Sequence, residues 1–162
     1  MIRVQQQDFD LSAELSQMTD GNHAIGGLCS FVGLVRDIAG EDEISAMTLE
    51  HYPGMTEKAL AEIEAEAQSR WPLEATLVIH RYGRLEPGDQ IVLVAAASAH
   101  REAAFEACHF LIDWLKTKAP FWKLEDTADG GKWVDARDSD DAATARWGGQ
   151  PTSNDDDQDA AE

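Results

Sequence analysis

Residues 90–123 read QIVLVAAASAHREAAFEACHFLIDWLKTKAPFWK, and the change of period inside this stretch decides the fold class. Residues 90–97 are apolar and rich in β-branched side chains, the pattern of a strand. Further on, Phe105, Cys108, Leu111, Ile112 and Leu115 recur at three- and four-residue intervals, which predicts an amphipathic helix with that stripe against a sheet. Ser98 is the expected N-cap of this helix and Pro120 its stop, because a prolyl ring lacks the N–H and clashes with the preceding turn.

Outward from there, residues 75–82 (ATLVIHRY) are a second apolar strand. Pro87, Gly88 and Asp89 put a turn between it and residues 90–97, so the two pair as a hairpin. Residues 24–35 (AIGGLCSFVGLV) read as a strand interrupted by glycines and residues 44–51 (ISAMTLEH) as another, and the polar turn at 37–43 predicts that these two pair with each other. Pro53, Gly54 and the N-cap candidate Thr56 then open a helix with Ala59, Leu60, Ile63 and Ala67 at helical spacing, ending near Trp71 and Pro72. Past Pro120, residues 121–124 and 132–136 read as short strands around Asp129, Gly130 and Gly131, and residues 139–147 as a last helix capped by Ser139. Five or six strands mixed with three or four helices, without strict alternation, predict the α+β class.

A chain of 162 residues suits one domain with a real core. Residues 1–147 form it, and residues 148–162, with no apolar periodicity and an acidic cluster, are expected to be a disordered tail. With 31 acidic residues against 13 lysines and arginines the formal net charge is -18, which argues against nucleic acid as a partner because phosphates would be repelled over most of the surface. The chain has no long uncharged apolar run, and MIRVQQQDFD lacks the apolar core of a signal peptide. The expectation is a cytoplasmic protein with no membrane partner. Cys29 and Cys108 make no C-x-x-C pair, and His23, His51, His80, His100 and His109 show no ligand spacing, so no metal site is expected. Gly26, Gly27 and Gly33 fit no phosphate-loop pattern.

Against that acidic background, residues 98–123 hold four of the 13 lysines and arginines and only three carboxylates, Glu102, Glu106 and Asp113. An anion is the ligand such an island fits. Lys116 and Lys123 flank the helix end, and a chain reversing at Pro120 brings both ammonium groups to one mouth. Crowded, partly buried lysines become better bases and nucleophiles; the plainer reading is a helix C-terminus whose lysines complement the dipole. His100 and Arg101 open the same helix, where free backbone N–H groups favour a phosphate or carboxylate. Arg36 projects from a strand end.

SAHR at 98–101, LKTKAPFWK at 115–123, LEHYPGMTEKALAEI at 49–63 and HRYGRLEPGD at 80–89 together resemble the large, catalytic subunit of molybdopterin synthase, the MoaE family, with the likeness running from about residue 25 to residue 147. The resemblance implies an α/β hammerhead-type fold with an additional small antiparallel sheet, and a homodimer within a heterotetramer. It implies a partner, a small ubiquitin-like sulfur carrier whose C-terminal Gly-Gly thiocarboxylate delivers sulfur to cyclic pyranopterin monophosphate, forming the dithiolene of molybdopterin in two transfers. No cofactor is implied. By motif position Lys116 and Lys123 are the catalytic pair, and Leu34, Val35, Arg36, His100, Arg101, Leu124, Glu125 and Arg137 join them in binding substrate, from both subunits of the dimer. Leu34 stands where some relatives carry a lysine. The runner-up reading is a dimeric scaffold that holds a ubiquitin-like protein without chemistry.

Overall fold

The computed structural model describes residues 1–39, 42–128, 130–134 and 146–148. The strand at the start of the decisive stretch, β7 (Gln90–Ser98), is the spine of a four-stranded sheet. It lies between β5 (Leu73–Arg81) and β2 (Gly27–Leu34), antiparallel to both, and β1 (Ile2–Gln5) adds to the far side of β5 in parallel. A strand covered on both faces reads as a continuous apolar run, and both faces of β7 are covered. Val92, Val94 and Ala96 join Val78 beneath α2 (Met55–Arg70) and α3 (Arg101–Thr117), whose Leu60, Ile63, Phe110 and Leu111 complete that core. Leu93 and Ala95 join Leu77 and Ile79 on the opposite face under Phe9 and α1 (Leu11–Thr19).

The second sheet is antiparallel, as the resemblance implies, but with five strands against four it is no smaller than the first in strand number. Its order is β3 (Ile38–Ala39), β4 (Asp42–His51), β8 (Phe121–Thr127) and β9 (Gly130–Val134), with β6 (Gly83–Leu85) pairing β4 at residues 47–49. Val35, Met47, Leu49 and Leu85, with Ile91 against them, form the small core at the junction of the two sheets. Among the described residues no helix is long and apolar enough to cross a membrane.

The α+β class and the hairpin of β5 with β7 stand as expected. The expected pairing of residues 24–35 with 44–51 does not occur: β2 pairs β7 and β4 pairs β8. The chain leaves the first sheet at Val35, whose N–H donates to Asp89 O at 2.9 Å and whose carbonyl accepts from Gly88 N at 2.9 Å, so the turn at 86–89 already holds that point of the chain. Two caps also differ. Gly54, at φ +83, caps α2 with its N–H on the Glu57 carboxylate at 2.6 Å, while Thr56 lies inside the helix with its hydroxyl donating to Tyr52 O. Ser98 ends β7 and its hydroxyl donates to Pro72 O at 2.8 Å, leaving His100 as the N-cap of α3. In the stripe of α3, Cys108, Leu111 and Leu115 are buried, but Phe105 is 61% exposed. It lies two residues, or about 200°, around the helix from buried Ala107. The expected helix at 139–147 and the tail lie outside the described residues, apart from residues 146–148.

Candidate functional site

The end of α3 makes the site. The helix stops at Thr117, Lys118 N–H closes the last turn on Trp114 O at 2.8 Å, and Phe121 N–H donates to Ala119 O at 2.8 Å, so the chain reverses through Pro120 straight into β8. Lys116 in the last helical turn and Lys123 two residues into β8 therefore face one cleft of about 550 Å³, at the seam between the two sheets. Leu34 and Arg36, at the exit of β2, line the same cleft. Its walls are otherwise largely apolar, with Met47 and Leu49 from β4, Ile91 and Val92 from β7, and Phe121.

Strand alternation sorts the remaining candidates. Lys123 pairs with Leu49 and Glu125 with Met47, on the cleft side of β8, and the buried Glu125 carboxylate is ion-paired with the Lys123 ammonium. Leu124 points to the other face, opposite Trp133. Val35 is buried in the junction core with both its backbone polar groups engaged by the turn. His100 and Arg101 sit at the opposite end of α3, about 22 Å from Lys116 at the helical rise. There they line a separate shallow pocket with Glu102, Phe105 and Glu106. Gly26 and Gly27 let β2 approach that helix start: a Cβ at Gly26 would lie 2.2 Å from Ala99 O, and one at Gly27 3.2 Å from Arg101 Cα. Arg137 lies outside the described residues.

Pairing of the cations is more selective than their position. Arg3, Lys58, Arg70, Arg81, Arg84, Lys123 and Arg146 each have a carboxylate partner. Lys118 lies over the Trp114 ring, 5.9 Å from its centroid. Arg36, Arg101 and Lys116 have no partner among the described residues. In a chain of formal net charge -18, cations with no carboxylate partner among the described residues stand open to an anion from outside.

Sequence reasoning passed over one residue of the cleft. His80, on β5 opposite Val92, is buried and lines the cleft, its ring stacked on Phe121 with centroids 3.7 Å apart. Its Nδ1 is 2.9 Å from Arg81 O, and burial lowers its pKa to about 4, so the ring is neutral near pH 7. A histidine inside an apolar strand looks like core in a sequence; only its phase, two residues from Val78 on the helix-covered face, points to the cleft. His51 has its ring against Tyr82, 4.4 Å between centroids, and its buried Nδ1 has no hydrogen-bond partner.

The family model described as MoaE protein matches residues 4–118. It takes in the end of β1 and all of α1, which lie ahead of the likeness read from motifs, since that likeness begins near residue 25. The molybdopterin synthase catalytic subunit of Ralstonia nicotianae is 59% identical over 147 residues, covering 91% of this chain and 84% of that protein. Among solved structures, the molybdopterin biosynthesis MoaE protein of Burkholderia ambifaria superposes with a TM-score of 0.79 at 57% identity, covering 91% of this chain and 97% of that one. Molybdopterin synthase of Staphylococcus aureus, solved by X-ray crystallography, gives a TM-score of 0.76 at 31% identity, covering 82% and 96%.

Proposed function

The chain belongs to the MoaE protein family, and from that premise we propose that it is the catalytic subunit of a molybdopterin synthase, moving sulfur from the thiocarboxylated C-terminus of a small ubiquitin-like carrier onto cyclic pyranopterin monophosphate. The observation that carries this reading is the set of cations without a partner among the described residues, Arg36, Arg101 and Lys116, at positions to which the resemblance assigns substrate binding or catalysis.

In each transfer the thiocarboxylate sulfur forms a C–S bond to a carbon of the pterin side chain as that carbon's bond to oxygen breaks, the oxygen leaving as water or staying with the phosphate. Water then cleaves the carrier's acyl–sulfur bond, leaving a carboxylate on the carrier and a thiol on the pterin. Charge develops on the acyl oxygen and a proton must reach the leaving group. Lys116, without a partner among the described residues, faces the cleft from which it can activate the substrate or move that proton. Lys123, held by buried Glu125, has a fixed position from which to stabilise the oxyanion. Arg36 takes substrate charge in the same cleft.

His100 and Arg101 are too far along α3 to reach that ligand within one chain. Their role in binding phosphate therefore requires a second copy, whose α3 start closes the cleft of the first. The reading is thus a homodimer with two composite sites, each receiving one carrier tail, and residues 1–147 acting as one domain.

Mixing the purified chain with thiocarboxylated carrier and the pterin, and measuring molybdopterin as its fluorescent oxidised derivative, tests the reading. Lys116→Ala is expected to abolish product while carrier binding persists; near-normal turnover would remove Lys116 from the chemistry. Carrier binding without any product from the wild-type chain would favour a non-catalytic scaffold instead.

A further inference from the structure

We propose that His80 is a specificity residue of this cleft, its Nε2 accepting a hydrogen bond from an N–H on the edge of the pterin ring. The inference rests on the synthase reading above and concerns a residue to which the family motifs gave no role.

The lining itself carries the argument. Arg36, Lys116 and Lys123 are donors without acceptor capacity. The other lining side chains, apart from His80, are apolar. Glu125, the nearby carboxylate, is tied to Lys123. Among the described residues His80 is therefore the one lining side chain that offers a strong hydrogen-bond acceptor to the cleft.

Its tautomer follows from its surroundings. Nδ1 faces Arg81 O at 2.9 Å, and a carbonyl can only accept, so Nδ1 carries the proton and Nε2 keeps the lone pair. Nε2 has no partner among the described residues. The stack on Phe121, with the rings 16° from coplanar, fixes the orientation of the imidazole, so the acceptor direction is set before ligand arrives. Burial keeps the ring uncharged near pH 7, which stops it from serving as one more cation for the phosphate. A phosphorylated heterocycle has two kinds of group to satisfy. The cations take the phosphate, and the imidazole takes a ring N–H. A pocket built to meet an N–H discriminates against analogues lacking it, because its acceptor would otherwise stay buried and unpaired.

His80→Phe keeps a ring to stack on Phe121 and removes the acceptor; His80→Gln keeps an acceptor and removes the ring. Calorimetric binding of the pterin, run beside turnover with saturating carrier, is expected to show affinity about ten-fold weaker in H80F and restored to within about three-fold in H80Q, the range for one neutral hydrogen bond. Inorganic phosphate, which has no ring, should inhibit wild type and H80F equally. Pterin affinity in H80F equal to wild type, H80Q no better than H80F, or a shifted phosphate inhibition constant would each overturn the role of His80 while leaving the synthase reading intact. A wild-type chain that neither binds nor converts the pterin would overturn both.

Discussion

Lys123 and Lys116 illustrate how two residues of one type divide when their surroundings differ. Glu125, 5% exposed, is opposite Met47 on β4 and holds Lys123, whereas Lys116 is exposed and has no partner among the described residues. Glu125→Ala should therefore lower turnover at least ten-fold by freeing Lys123 from its position, with carrier affinity unchanged; full activity in that variant would show that the pair has no positioning role. His80 gives a pH prediction whose sign is fixed. Its pKa falls from 6.5 to about 4 on folding, chiefly by burial and with a contribution from His51, while Lys116 and Lys123 share its cleft. Between those values the unfolded chain binds a proton that native His80 refuses. This contribution to stability is thus fully present above pH 6.5, falls as pH drops, and levels off below about 4, a loss of about 3 kcal/mol in all. Denaturant midpoints at pH 7.5 and 4.5 should differ less in H80F than in wild type; equal differences would contradict the assignment. Cys108 behaves oppositely: burial pushes its thiol up, reinforced by neighbouring Cys29, so it should resist thiol reagents at pH 8 until the chain unfolds.

At the scale of elements, α3 ties the core to the chemistry, because the helix that buries Phe110 and Leu111 also ends at Lys116. Phe110 is fully buried, edge-on to Trp71 and Trp147 with Arg70 over its ring. Phe110→Ala should cost about 3–5 kcal/mol, read from chemical denaturation. Gly26→Ala would push a methyl against Ala99 O, a backbone atom that cannot swing aside. A loss of about 1–3 kcal/mol is expected, with weakened pterin binding because the start of α3 carries His100 and Arg101; a variant with wild-type stability would show that β2 and α3 slide freely. Helices α2 and α3 and the β5–β7 hairpin were legible because their signals are local: a period, a turn, a proline. The partner of β2 was not, since β7 lies some 60 residues further on and a polar turn after residue 35 looks the same whether the chain folds back or crosses to another sheet. The strand β1 and helix α1 escaped notice for a related reason: β1 has only four residues and α1 buries none of its side chains fully, so neither imprints a strong pattern.

For the whole molecule, composition said that an acidic chain keeps a basic island, and the fold split that island into two ends of one helix. Lys116, Lys123 and Arg36 meet in a cleft; His100 and Arg101 face a separate pocket. Periodicity could not reveal the split, because residues 98–123 are one run along the chain whichever cleft each end of the helix meets. A two-fold dimer would restore the island as two composite sites, each with cations from both copies. Complementation measures this directly. Lys116→Ala and Arg101→Ala chains, each inactive or nearly so alone, are mixed in equal amounts, allowed to exchange subunits, and assayed for molybdopterin with saturating carrier and pterin. Random pairing gives half mixed dimers with one intact site in two, so activity should return to about a quarter of wild type. A mixture no more active than its separate components would contradict a site shared between two copies of this chain.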